Sequence, residues 1–164
     1  MEDNIQIRSA LLPDVPAVWS ILEPIVRAGI YYHGFPPHID EQRMLDFWFS
    51  PGHENFVAET NQEVAGTYFL RPNCLAGAGV ANCAYGTAQG AQGRGVGHAM
   101  CRHSLVTARE RGYQAMEFNQ VIRTNVTAVA LWQRNGFEIV GLAPEPFLHP
   151  SLGPTDMYVM RRKL

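Results

Sequence analysis

Charge is scarce in this sequence and nearly balanced. Acidic and basic residues together make up 17% of the 164 residues, and the formal net charge is -2. The one cluster of like charges is the basic segment 161–163. Because a nucleic-acid backbone is bound through a basic stripe, these features argue against nucleic acid as a partner. A hydrophobic content of 46% is enough for one core, so we predict a single domain over residues 1–164.

Long apolar segments, a secretory leader and paired cysteines are also missing. Residues 1–4 are acidic, and no apolar run approaches the about 20 residues that cross a membrane. Cys74, Cys83 and Cys101 show no CxxC spacing, which fits a reducing compartment and argues against structural zinc. We therefore predict a cytoplasmic protein that acts without a membrane or a metal. The sequence leaves open whether it forms a homodimer.

Apolar spacing predicts alternating strands and helices. Strands are predicted at 5–9, 55–59, 64–70, 80–87, 115–121, 137–141 and 156–160. Helices are predicted within 13–29, 40–49, 95–111 and 125–135, where proline, aspartate, asparagine or glycine marks the ends. This order predicts one α+β domain of α/β-like character with a mixed sheet. The aromatic, proline-rich loop 31–38 is expected to line a substrate pocket.

A glycine-rich segment, Gln92-Gly93-Arg94-Gly95-Val96-Gly97-His98, lies between a predicted strand and a predicted helix. Its glycines let the backbone approach a ligand closely, and the unpaired N–H groups of the helix N-terminus attract phosphate. Arg94, His98 and Arg102 follow at intervals of four, which predicts a basic stripe beside that terminus. The segment therefore predicts a phosphate or pyrophosphate site. The glycines alone are equally consistent with a turn that binds no ligand.

Two common phosphate-binding patterns do not fit this segment. The P-loop pattern requires Lys-Ser or Lys-Thr after the glycines, and neither occurs. The dinucleotide pattern requires Gly or Ala three residues after Gly97, where Met100 stands, and it usually follows the first strand. No GxSxG or Cys-His signature indicates covalent catalysis. A different phosphate ligand is therefore indicated.

A second motif follows in the next predicted helix. Asn125-x-x-Ala128-x-x-Leu131-Trp132-x-x-x-Gly136-Phe137 opens this helix with a polar residue and closes it with glycine and an aromatic residue. Together the two segments resemble the GCN5-related N-acetyltransferase superfamily. The pyrophosphate motif of that family, Q/R-x-x-G-x-G/A, matches Gln92, Gly95 and Gly97. Its later motif differs only at Trp132, where the family usually has tyrosine.

The resemblance implies a fold and a co-substrate. The implied fold is a central mixed, mostly antiparallel sheet flanked by helices, with strands that splay apart at the acetyl-CoA cleft. The implied co-substrate is acetyl-CoA, bound without a metal. A backbone N–H of Tyr85 or Thr87 would stabilise the oxyanion of the reaction. The implied contacts with acetyl-CoA are Tyr85, Gly86, Thr87, Gln92, Gly93, Arg94, Gly95, Val96, Gly97, His98, Asn125, Ala128 and Trp132.

A narrower likeness concerns the acceptor. Segments 80–85 and 118–121 are similar to the group that contains the yeast azetidine-2-carboxylate N-acetyltransferase. This likeness implies that Asn82 and Asn119 contact the substrate, and we expect Tyr31 of the aromatic loop to join them. The residues themselves leave alternatives open. Asn82 binds either a backbone group or a ligand, Asn125 either caps its helix or contacts pantetheine, and Trp132 either shapes the pocket or packs in the core.

The proton chemistry lacks the usual groups of the family. The fourth strand carries no carboxylate, so Glu117, Tyr68, His53, His149 and water are the alternatives for the base. An indole is not a useful acid for the departing thiolate. We expect acetyl transfer to the amine of a small molecule, such as an amino acid or a toxic analogue, by direct attack in a ternary complex. The alternatives are a protein N-terminal or lysine acetyltransferase and an acyl-CoA-binding sensor without catalysis.

Overall fold

The computed structural model describes residues 4–164. Residues 1–3, on which part of the argument against a leader rests, lie outside the described residues. The helices are α1 Val15–Ala28, α2 Glu41–Trp48, α3 Val96–Glu110 and α4 Val126–Arg134. The strands are β1 Gln6–Ser9, β2 Glu54–Thr60, β3 Glu63–Pro72, β4 Val80–Thr87, β5 Ala115–Ile122, β6 Glu138–Leu142, β7 Phe147–His149, β8 Gly153–Thr155 and β9 Met157–Lys163.

Seven strands form one mixed sheet in the order β1-β2-β3-β4-β5-β9-β6. Every neighbouring pair is antiparallel except β4 and β5, which run parallel. These two strands pair only where they begin, at Val80 with Ala115 and at Ala81 with Met116. Beyond those two pairs the strands separate, so the sheet has a wedge-shaped split at its centre. The expected α+β domain with a mostly antiparallel, splayed sheet is confirmed.

Helices cover both faces of this sheet. On one face, α1 and α2 contribute Val18, Leu22, Met44 and Trp48 to a core that includes Phe69 of β3. On the other face, α3 and α4 pack on a second core through side chains that include Met100, Leu105 and Trp132. The split between β4 and β5 is therefore flanked by a different helix pair on each face.

Local chemistry explains where several elements begin and end. The carboxylate of Asp40 accepts a hydrogen bond from Arg43 N–H at 2.8 Å and caps α2. Gly29 ends α1 in the left-handed conformation, with φ 65°. Asn61 and Gln62 join β2 to β3, and both have positive φ. That is the geometry of a two-residue hairpin turn whose twist matches the strands.

The sequence patterns missed one pair of strands. β7 and β8 form a separate hairpin in the segment before β9, where the sequence patterns predicted no strand. Each strand has three residues, too few for an alternating pattern to show. At the sheet edge, all five residues of β6 are exposed. No helix among residues 4–164 is long and apolar enough to cross a membrane.

Candidate active site

Where β5 diverges from β4, backbone groups of β4 face the open split. Just after β4, the N–H of Ala88 donates to the carbonyl of Ala65 in the β3 chain at 2.9 Å. Because antiparallel pairs alternate, Gly86 also bonds to β3, while the backbone groups of Tyr85 and Thr87 point away from it. They face the side where β5 has moved off. The N–H groups of Tyr85 and Thr87 are thus placed for a ligand inside the split.

The glycine-rich loop lies at the wide end of the split. Gly95 is the N-cap of α3 and has φ 85°, and Gly93 has φ 74°. A Cβ at Gly97 would lie 3.2 Å from Cδ2 of Leu131 and 3.9 Å from Oγ1 of Thr87. The missing side chain therefore lets the first turn of α3 approach both α4 and the end of β4. The unpaired N–H groups of this turn suit the pyrophosphate of acetyl-CoA.

Side chains of the loop divide between solvent and core. Gln92, Arg94, His98 and Arg102 are exposed, and Arg94 precedes the first helical residue. Val96 is 1% exposed and packs in the core, so only its backbone is available to a ligand. The predicted basic stripe is thus present at the surface beside the α3 N-terminus.

The second motif forms α4 and its cap. Oδ1 of Asn125 accepts a hydrogen bond from Ala128 N–H at 3.2 Å, which satisfies one of the unpaired donors of the helix. Trp132 is 8% exposed. Its ring centre lies 4.8 Å from the rings of both Tyr85 and Phe118. Trp132 therefore packs in the core. Asn125 caps its helix through Oδ1, and its Nδ2 takes no part in the cap.

Tyr85 contributes its backbone to the split and its side chain to the core. The phenol hydroxyl lies 2.7 Å from Oγ of Ser104 in α3, and burial raises the pKa of Tyr85 well above its ordinary value. Its carbonyl accepts a hydrogen bond from the hydroxyl of Tyr32. The aromatic loop is thus tied directly to the strand that borders the split.

Three asparagines join β4 to β5 just beyond their last pair. Nδ2 of Asn82 donates to the carbonyl of Glu117 at 2.8 Å, and Nδ2 of Asn73 donates to the same oxygen at 3.1 Å. Asn73 and Asn119 exchange two amide hydrogen bonds, each 3.0 Å long. We call Asn73, Asn82 and Asn119 the amide latch. Asn82 and Asn119 were predicted to contact the substrate, and both have hydrogen-bond partners within the protein. Asn82 binds a backbone carbonyl, which is one of the two alternatives that its sequence position left open.

A cavity of about 580 Å³ opens between the aromatic loop and the β7–β8 hairpin. Tyr32, Phe35 and Phe147 line it. Tyr31, the predicted substrate contact, is 43% exposed and does not line this cavity. Tyr32 was missed because no periodicity in an irregular loop shows which neighbouring side chain turns inward; the aromatic composition was the available signal.

The four candidate bases differ sharply in surroundings. Glu117 accepts from Nη1 of Arg161 at 2.9 Å. Tyr68 is fully buried against α3, and its hydroxyl lies 2.6 Å from Nδ1 of His103. Burial raises the pKa of Tyr68 far above its ordinary value, so this phenol holds its proton at neutral pH.

The two histidine candidates have opposite tautomers. Nδ1 of His53 lies 3.1 Å from the carbonyl of Trp48 and therefore carries the proton, which leaves Nε2 with a lone pair. Burial lowers the pKa of His53, and the charge of Arg71 adds to this. Nδ1 of His149 instead accepts from the Leu152 N–H at 3.3 Å.

Comparison with known proteins places this geometry in a family. Residues 17–137 match the model of the acetyltransferase (GNAT) family. The chain belongs to the GNAT family. It is therefore an acetyl-CoA-dependent N-acetyltransferase, as the resemblance of its two motifs to that family implied. A GCN5-related N-acetyltransferase from Kribbella flavida is 36% identical with a TM-score of 0.90, and the match covers 98% of each chain.

More distant GNAT structures share the fold. A phosphinothricin acetyltransferase from Sinorhizobium meliloti, in complex with AcCoA, is 21% identical with a TM-score of 0.81, over 100% of this chain and 89% of that one. A ribosomal-protein-alanine N-acetyltransferase from Brucella melitensis is 23% identical with a TM-score of 0.78, over 97% and 99%. No curated protein matches the chain. Among residues 4–164, no cluster of histidine, cysteine and acidic side chains could hold a metal.

Proposed function

We propose that this GNAT enzyme acetylates the amine of a small molecule, an amino acid or a toxic analogue of one, within a ternary complex. The supporting observation is the cavity of about 580 Å³ between the aromatic loop and the β7–β8 hairpin. Its volume is that of a small-molecule site. Tyr32 lines this cavity and bonds to the Tyr85 carbonyl, so an acceptor held there would lie next to the strand that borders the acetyl-CoA cleft.

The donor would bind along β4 and the first turn of α3. Its pantetheine arm would pair with the outward backbone groups of Tyr85 and Thr87 and pass over Gly86, and its pyrophosphate would lie against the N–H groups of Gln92–His98. Exposed Arg94 and His98 would face further phosphates. In α4, the amide nitrogen of Asn125 is not used by the cap and could reach the arm, while Ala128 and Trp132 would border it.

The reaction needs a donor placed for the negative oxygen that forms when the amine attacks the thioester. The N–H of Tyr85 or of Thr87 would supply it, because both point into the split. A fixed backbone donor stabilises such an oxyanion at little reorganisation cost. The carbon–sulfur bond then breaks, and coenzyme A leaves as the thiolate.

Two proton transfers accompany this step. We favour His53 as the base because its neutral tautomer leaves a lone pair on Nε2; the proton of the amine would reach it through water. Glu117 is a weaker candidate because Arg161 holds its carboxylate. A thiol with an ordinary pKa of about 8.5 can leave as thiolate unaided, so Trp132 is not required as an acid.

The finer assignment, to the azetidine-2-carboxylate N-acetyltransferase group, rests on Asn82 and Asn119. In that proposal, side-chain oxygens of the amide latch with a lone pair still available would accept hydrogen bonds from the acceptor. Tyr31, which is exposed, would join these contacts. Changing Asn82 to Ala should raise the KM for the amine more than the KM for acetyl-CoA. Equal changes in both constants would instead assign Asn82 to the latch alone.

Thiol release from acetyl-CoA, measured with a panel of amino acids, polyamines and peptides, tests the function. We expect release with one or more free amino acids. Release with peptides alone would indicate a protein acetyltransferase. Calorimetric binding of acetyl-CoA with no release on any amine would indicate an acyl-CoA sensor and refute the proposal.

A further inference from the structure

Arg71 places a positive charge on the face of the sheet that α1 and α2 cover. Phe69, two residues earlier in β3, packs in that layer, and alternate residues of a strand share a face. The guanidinium carbon lies 5.6 Å from the ring centre of Phe69 and 5.8 Å from that of Phe47 in α2. Attraction to the two rings fixes the position of the charge.

No group within residues 4–164 neutralises this charge. Nε of Arg71 is buried and has no hydrogen-bond partner among them. In the same part of the chain, no acidic side chain forms an ion pair with the guanidinium. The two Nη groups also have no hydrogen-bond partner among the described residues. They are accessible to solvent, because in this part of the chain Nε of Arg71 is the one side-chain nitrogen or oxygen that is both buried and without a partner. A fixed cation with open Nη groups suits an anionic ligand.

Arg71 begins a polar row that crosses the sheet where β4 and β5 separate. It lies opposite Asn82 in register. Asn82 reaches the carbonyl of Glu117, and Glu117 lies opposite Arg161, to which it is paired at 2.9 Å. Because Arg161 balances the charge of Glu117, Arg71 leaves the row with one net positive charge.

The row lies close to the reacting centre. Asn82 precedes Tyr85 by three residues, which is about 10 Å of extended strand. The Arg71 side chain extends along β3 to Phe69, whose register partner in β4 is Ala84, and a small acceptor spans the remaining distance.

Arg71 does not itself line the cavity of the proposed acceptor site, but Phe47, which it contacts, packs at 4.8 Å against Phe35 of that cavity. An acceptor that reaches from the cavity to Arg71 would present its amine to the backbone N–H groups of the split.

We infer that Arg71 binds the carboxylate of the acceptor, and hence that the acceptors are amino acids with a free carboxylate. This inference rests on the proposed function and makes its substrate class specific. The Nη groups would donate two hydrogen bonds to the carboxylate oxygens. The amine of the same molecule would then lie at the thioester, and the carboxylate would supply the negative partner that the polar row lacks.

The test compares the best amino acid from the panel with its carboxamide, which keeps the amine but loses the negative charge. For the unsubstituted enzyme, kcat/KM should be about 100-fold higher for the acid, the range expected for a close charge pair. Arg71→Met should remove this preference and leave the KM for acetyl-CoA unchanged. Arg71→Lys should restore part of it, because it keeps the charge without the planar fork. Arg111→Met is the matched control, since Arg111 pairs with exposed Glu54.

Binding of amino acids to the protein saturated with coenzyme A gives a second measurement that needs no turnover. Loss of this binding in Arg71→Met, with an unchanged melting temperature, supports the inference even if no acetyl transfer occurs, an outcome that would refute the proposed function alone. If Arg71→Met does not fold, Arg71→Lys carries the test and should raise the KM for the acid about tenfold. Equal use of acid and carboxamide, or no amino-acid binding at all, would overturn the inference.

Discussion

Replacing Gly95 with alanine tests whether the α3 N-terminus binds acetyl-CoA. Gly95 has φ 85°, and among the described residues a Cβ there would meet only Cδ1 of Ile5, at 3.9 Å, an ordinary contact. The cost is therefore backbone strain alone, about 1–2 kcal/mol for an L residue in the left-handed region. In a domain of this size that corresponds to a decrease in melting temperature of about 2–8 °C.

Gly112→Ala is the matched control for this strain. Gly112 follows α3 at its other end and has φ 82°, and a Cβ there would have no atom of residues 4–164 within 4 Å. Both substitutions should lower stability equally. Only Gly95→Ala should weaken acetyl-CoA binding, because relaxing the strain turns the first N–H groups of α3 away from the pyrophosphate. Loss of one charge-assisted hydrogen bond is about 1.5–3 kcal/mol, or tenfold or more in Kd.

Isothermal calorimetry with acetyl-CoA measures this difference, and thermal melting checks the strain. Unchanged affinity in Gly95→Ala, despite the expected loss of stability, would show that pyrophosphate binding does not depend on this turn. Equal weakening in both variants would show that general destabilisation, rather than loop geometry, lowers the affinity.

Three further predictions concern other parts of the chain. Asn125→Ala should lower the free energy of unfolding by about 0.5–2 kcal/mol through loss of the α4 cap, whereas Asn125→Asp should keep the cap and raise only the KM for acetyl-CoA. Thermal melting measures the first effect and initial-rate kinetics the second. An unchanged KM in Asn125→Asp would show that Asn125 acts only as a helix cap. Asp14 accepts hydrogen bonds from Arg8 at 2.6 and 2.9 Å, and the Arg8 side chain holds the pKa of that carboxyl below its ordinary 3.8. This stabilisation is present above the unfolded pKa of Asp14 and is lost as the pH falls through the folded pKa. In denaturant titrations, Asp14→Asn should therefore lower the free energy of unfolding by about 1.5–3 kcal/mol at pH 7 and by less below pH 4. The same difference at all pH values would contradict this linkage. Trp132→Phe should leave kcat and its pH profile nearly unchanged because the indole packs against aromatic rings, and loss of one ionisation from the profile would contradict that role.

The local geometry of the proposed donor site could be anticipated from the sequence because it depends on neighbouring residues, while its contacts with acetyl-CoA stay a prediction. Gly95 and Gly97 act through backbone conformation and close approach, which follow from having no side chain. Asn125 caps a helix within three residues of itself. Such short-range requirements leave a readable pattern, and the family match confirms the fold that they implied.

The acceptor side depends on contacts between distant segments. Asn82 and Asn119 could be singled out as unusual strand residues, but Asn73, which completes the amide latch, lies in another strand connection and carries no signal of its own. Arg71 gains its surroundings only when α2 brings Phe47 against β3. Sequence patterns record neither of these assemblies, because each joins residues far apart in the chain.

The split between β4 and β5 also gives the molecule two internal sheet edges. An exposed edge is a hazard, since its unpaired backbone groups can recruit a strand from another chain. Here the edges face each other in a wedge that two residue pairs and the amide latch close at its narrow end. In the proposed complex, the unpaired groups of these edges would pair with a chain that carries amides, such as the pantetheine arm. A pantetheine arm bound there would therefore also cover backbone groups that could otherwise recruit another strand.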